Sequence, residues 1–161
     1  MATFNLTAQD AYPPLPTIAD DIKEASDQMD FITEGKILHG FDYEFHGTMY
    51  HFNFDDKDQA NFIQEMIRAF VVGNTSEEAK AAYTASWRGH LADGSAETLT
   101  MNYDEFFAFA MTLGSKKAEL LSHGWAVKNE FKACKNKGEL NAVKEKYNLE
   151  AEYIKVRDHE L

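Results

Sequence analysis

Apolar and polar positions alternate through "GFDYEFHGTMYHFNFDD", Gly40 to Asp56, with three aromatics before His46-Gly47 and three after it. A period of two predicts strands. A two-residue His46-Gly47 turn would pair Phe45 with Thr48, Tyr43 with Tyr50, and Phe41 with Phe52. That parity sets the paired aromatics on one face and Asp42, Glu44, Met49 and His51 on the other. An isolated hairpin needs a surface to pack on, so the aromatic face is expected to be core.

The pattern changes to helical on both sides. Residues 1–16, with Pro13, Pro14 and Pro16, read as an extended arm. Thr17 is the expected N-cap, with Asp20 and Asp21 in the first turn. Ile18, Ile22, Ala25, Met29 and Ile32 follow at alternating steps of four and three, and Gly35 is the expected stop. So short a stripe should need a partner surface. Pro13, Pro14, Ile18, Ile22, Met29 and Ile32 are therefore the candidate partner-binding residues.

After the hairpin, Phe62, Ile63, Met66, Ile67, Phe70 and Val71 form a helical face closing at Gly73-Asn74, suited to cover the aromatics. A short helix is expected over "SEEAKAAY". A second hairpin is expected around Asp93-Gly94, in one of two registers. A two-residue turn sets Trp87 opposite Thr100, whereas an odd loop with a bulge brings it beside Leu99 or Met101.

Asn102 with Glu105 resembles a capping box opening a long helix. Its stripe runs Phe106, Ala110, Leu113, Lys117, Leu120, Gly124, Val127, Phe131, Cys134. From Tyr103 to Lys135 such a helix would be about 50 Å long, and Gly114 and Gly124 mark where it is weakest. The upper half suits the core, and the lower half should pack on the final helix or on another protein, so self-association of the isolated chain is expected to be weak and a homo-oligomer to form only within a larger assembly. Gly138 is the expected stop, before a last helix "ELNAVKEKY" and a charged tail. The expected fold is α+β: two small antiparallel hairpins on helices, one long C-terminal helix, and an N-terminal arm with a short helix. Residues 1–35 form the attachment segment and 36–161 the domain.

Composition narrows the function. The 161 residues are 44% hydrophobic and 13% aromatic, enough for a core, and carry a net charge of −11. That balance disfavours nucleic acid and anionic membranes, both of which recruit clustered Lys and Arg. The single Cys134 excludes an internal disulfide and four-cysteine zinc sites. The N-terminus shows no basic region followed by an apolar run, so no signal peptide is expected, and no apolar stretch is long enough to span a membrane. The sequons at Asn5 and Asn74 and the terminal "DHEL" carry no weight without entry to the secretory route. Work or assembly in a cytoplasm is the expectation.

The order of these elements resembles a known family. An "F-x-Y-x-x-H-G" hairpin is followed by "F-x-x-D" and "D-Q-A-N" opening a helix. Then come Trp87, "ADGS", "LT", "DEFFAF" opening the long helix, and "GELNAV". Over roughly Leu38 to Tyr147 the chain is similar to a small domain of unknown function in tailed-bacteriophage proteins, often tail-fibre or tail-assembly proteins. The resemblance carries over no catalytic residues, and no cofactor is expected. It implies a place in the virion tail, assembled in the bacterial host cytoplasm, among other tail proteins.

The remaining chemistry has plain readings. His39, His46 and His51 scatter over the predicted hairpin and do not converge as metal ligands must. "FDDKD" at Phe54–Asp58 lacks the Gly and Glu of a calcium loop and reads as helix capping. "GSKK" at Gly114 lacks the upstream glycine of a phosphate loop. No nucleophile signature is present, and Cys134 falls on an apolar stripe. The expected function is a non-enzymatic structural or accessory protein of a phage tail, acting in fibre attachment or assembly. An assembly chaperone and an envelope-binding module or hydrolase are the alternatives.

Overall fold

The first hairpin forms as the alternation demands. The computed structural model describes residues 15–161. Strand β1 (Phe41–Phe45) pairs antiparallel with β2 (Thr48–Phe52) in the register Phe41–Phe52, Tyr43–Tyr50, Phe45–Thr48. His46 and Gly47 both take positive φ, 51° and 81°, as a two-residue turn matching strand twist requires. Phe41, Phe45, Tyr50 and Phe52 are buried, while Asp42, Glu44 and Met49 point outward.

The second hairpin, β3 (Ala85–His90) with β4 (Ala96–Met101), takes the odd register, Trp87 opposite Leu99. Gly94 N–H donates to the Leu91 carbonyl and Leu91 N–H to the Ser95 carbonyl, closing a tight loop in which Gly94 has φ 83°. The Asp93 carboxylate accepts from Ser95 N–H and Oγ, which stiffens the turn. The hairpins are not separate. They join through His51–His90 into one four-stranded antiparallel sheet, β1-β2-β3-β4.

Between the hairpins run α2 (Asp56–Gly73), capped by Asp55, and α3 (Glu77–Ala82), capped by Ser76. Helix α1 (Ile18–His39) opens with the Thr17–Asp20 capping box, and α4 (Tyr103–Ala133) with the Asn102–Glu105 box. Helices α5 (Lys137–Lys146) and α6 (Leu149–Arg157) close the chain.

Two cores result. In the first, Phe52, Phe106, Phe109 and Leu113 pack between the sheet, α2 and the upper half of α4. In the second, Ala25, Met29 and Ile32 of α1 meet Val127 and Phe131 of α4, Leu140 of α5, and Leu149 and Val156 of α6. Lys117, between them on α4, donates to the Gln59 side chain at 2.6 Å.

This second core corrects several expectations. The α1 stripe is not left for another chain: Met29 and Ile32 are buried within this one, and Ile18 and Ile22 are partly covered by the same cluster. Pro13 and Pro14 lie outside the described residues. Gly35 does not stop α1, which continues to His39 and ends at Gly40, φ 108°. A Cβ at Gly35 would sit 2.1 Å from Val156 Cγ1, so the glycine is a socket for α6. Gly124 does not break α4, because its missing Cβ admits Thr33 of α1 (2.6 Å to Oγ1). Gly138 lies in the first turn of α5, which Asn136 caps, and the charged tail instead forms α6, held by Leu149 and Val156.

Ion pairs fasten α1 to its neighbours. Lys128 of α4 meets Asp30, Lys137 of α5 meets Asp21, and Lys36 meets Glu152 of α6. Hydrogen bonds from Lys36, then Lys155, hold the Glu152 carboxyl below its ordinary range. A depressed carboxylate stabilises the fold above its unfolded pKa, about 4.3 for Glu, and the contribution is lost as pH falls below that. The melting temperature is therefore expected to drop as the pH is taken from 6 through about 4 to 3. Lys36→Met should lower it at pH 6 and differ less from the wild type at pH 3. An equal difference at both pH values would remove Glu152 as the cause.

Candidate functional site

Helix α2 rests on the sheet through fewer side chains than its apolar face offers. Phe62 and Ala69 are buried, and Met66 is partly buried against the first core. Ile63, Ile67, Phe70 and Val71 are 59, 60, 71 and 59% exposed. At 100° per residue they lie on the flank turned away from the sheet. The expectation that the whole face covers the aromatics holds for Phe62 and Met66 and fails for the other four. Helix α4 continues the exposed surface with Phe107 and Met111, 45 and 54% exposed.

The two strips flank one seam. Lys117 beside Gln59 joins the α2 start to the middle of α4. At the other end Gly73 abuts Tyr103, whose Oη would lie 2.2 Å from a Cβ added to the glycine. The helices thus run antiparallel. Tyr103 in turn stacks on Phe107, ring centroids 6.3 Å apart at 15°.

A second feature is polar. Strand β2 ends at Phe52, its pairing with β3 is confined to His51–His90 with Tyr50 packed on Gly89, and so β3 from Arg88 back to Ala85 runs past the end of β2. A cleft of about 440 Å³ opens there, lined by Asn53, Asp58, Asn61, Gln64, Arg88 and His90 among others. Burial, then the nearby Asp55, pushes the Asp58 carboxyl up. Ser86 and His90 both line the cleft. Four residues apart on one strand they are separated by roughly 13 Å, too far for a nucleophile and its base. Beside the cleft, Arg68 lies over the Tyr83 ring (4.3 Å) and both bond Glu65. Burial first, then the Glu65 bond, raises the Tyr83 phenol.

His39 and His51, expected apart, lie with ring centroids 4.6 Å from each other, because the last turn of α1 carries His39 round to the outer face of the hairpin. His51 also contacts Asp42 Oδ1 and the His39 carbonyl, both at 2.9 Å, and His46 contacts Glu105 at 2.8 Å. Among the described residues no three His, Cys, Asp or Glu side chains are grouped as a metal ion would need. Asp55 caps α2, accepting from Asp58 N–H at 2.9 Å. "GSKK" is helical, with Lys116 donating to the Asp42 carbonyl. Cys134 is half-buried at the end of α4, and burial, then Glu139 and Glu130, raise its thiol.

The fold defines an α+β protein in which one antiparallel sheet is backed by helices and an apolar surface is left uncovered. The chain belongs to the family described as Domain of unknown function (DUF4376), which matches residues 19–152. The match takes in nearly all of α1, which the resemblance over Leu38 to Tyr147 leaves out. No curated protein and no solved structure matches the chain.

Proposed function

We propose that this chain is a non-enzymatic structural or accessory protein of a bacteriophage tail, contributing to fibre attachment or assembly and so to host adsorption. Its partners are other tail proteins of the fibre or baseplate, and its place is the virion tail, after assembly in the host cytoplasm. The observation that carries the reading is the uncovered face of Ile63, Ile67, Phe70, Phe107 and Met111. An apolar surface of that size serves contact with protein. The motif order, similar to that of tail-fibre and tail-assembly proteins, supplies the setting. Attachment to the tail is assigned to the N-terminal segment with Pro13 and Pro14.

Mass spectrometry of purified virions tests this. The protein is expected in the particle, and deletion of residues 2–16 is expected to remove it while leaving the melting temperature nearly unchanged. Absence from virions, together with loss of fibres when the gene is removed, would instead identify an assembly chaperone, for which an exposed apolar face is equally apt. Normal incorporation of the deleted protein would exclude the N-terminal segment as the attachment.

A further inference from the structure

We propose that the face shared by α2 and α4 is the interface of a homodimer. Two copies meet about a twofold axis and enclose Ile63, Ile67, Phe70, Phe107 and Met111 in a layer of four helices. The inference rests on reading this face as a contact surface and names what occupies it.

Geometry gives the first support. Two antiparallel helices side by side present a shallow groove, and an identical pair laid over it completes a four-helix arrangement. The same patch then serves both partners, as a closed twofold contact requires.

Area gives the second. Six large apolar side chains, Val71 included, stand 45–71% exposed. Together they leave on the order of 700 Å² of apolar surface, close to the roughly 800 Å² each partner contributes to a standard stable interface.

Charge selects the occupant. The chain carries −11 overall, so copies repel one another unless they touch where charge is sparse. That condition is met here. From Ala60 to Asn74 the outer flank of α2 adds only the uncharged Gln64 and Asn74 to its apolar side chains. The facing flank of α4, from Phe107 on, adds Ala108, Gly114, Ser115 and Ala118. Nothing lies within 4 Å of a Cβ placed on Gly114, so a helix can approach closely there. A basic peptide would find only Asp104 and Asp56, at opposite ends of the patch, to hold it, and an anionic membrane would be repelled by the whole chain. A second copy presents the same nearly uncharged surface. Acids outside the patch are screened over a Debye length of about 10 Å at 0.1 M salt.

Sedimentation of the full chain at micromolar concentration is the test. A dimer is expected, and raising the salt should tighten it, because screening removes the residual repulsion while apolar contact persists. Ile67→Asp on α2 and Met111→Glu on α4 should each weaken association on the order of thirtyfold or more. Their circular dichroism should be unchanged and melting of the monomer little changed, since both positions are more than half exposed. A monomeric wild type, a trimer, or a dimer that survives both substitutions overturns the proposal. A monomeric protein found in virions leaves the tail reading standing alone. A dimeric protein absent from them removes the tail reading alone.

Discussion

Gly40→Ala is expected to destabilise the protein by roughly 3–5 kcal/mol, the combined cost of a glycine-only conformation and a backbone clash. Gly40 turns the chain from α1 into β1 with φ 108° and ψ −161°. A Cβ there would lie 2.0 Å from the Phe52 carbonyl oxygen and 2.8 Å from its carbon. Those atoms cannot yield, because Phe52 pairs with Phe41 and its side chain is fully buried. Gly47→Ala is the comparison. Gly47 also has positive φ, 81°, but nothing lies within 4 Å of its Cβ position, so only the conformational cost of about 1 kcal/mol applies. Urea unfolding of both variants decides the matter. Equal losses would mean that the α1–β1 junction does not press on the end of β2.

Phe109→Ala is expected to cost about 3–5 kcal/mol, as removal of a buried aromatic does. Phe109 is fully buried, with ring centroids 4.7 Å from Phe52, 5.2 Å from Tyr43 and 6.1 Å from Trp87. It thereby ties α4 to both hairpins at once, and these edge-to-face and tilted pairs add to the area term. Phe107→Ala, two residues back on the same helix, should cost the monomer only about 1 kcal/mol, because Phe107 is 45% exposed and its ring packs mainly on Tyr103. If the two variants unfolded at the same denaturant concentration, the inner and outer flanks of α4 would have been exchanged.

The contrast between those two phenylalanines shows what the sequence makes legible. Period and capping residues locate elements well, because their causes are local. His46-Gly47 sets its hairpin register, Asn102 with Glu105 opens α4, and Thr17 opens α1. Asp93-Gly94 leaves two registers open, since a turn-forming pair serves an even or an odd loop. The bond from Gly94 N–H to Leu91 selects the odd one. Where the cause is distant, local reading fails. Gly35 reads as a stop until Val156 is seen to fill the space a Cβ would take, and the α1 stripe reads as unpartnered until α5 and α6 close over it. Apolar width on α2 likewise shows how much surface could be buried, not how much the sheet can reach. The polar cleft is not legible at all, because Asn53, Asn61, Gln64 and Arg88 form no motif and meet only where β3 parts from β2.

The sockets at Gly35 and Gly124 bear on how the molecule carries load. Helix α1 runs antiparallel to α4, with Asp30 beside Lys128 and Thr33 beside Gly124, and it also lies along α6, with Phe31 beside Tyr153 and Gly35 beside Val156. A pull on residue 15, directed along α1, would drag it past both neighbours in shear. Each side chain seated in a glycine socket must then leave at the same moment as the others, rather than peeling away in turn. A chain tethered through its N-terminus would resist tension as a bolt does, holding until it gives way in one step, and a stretching experiment from that end would record a single rupture.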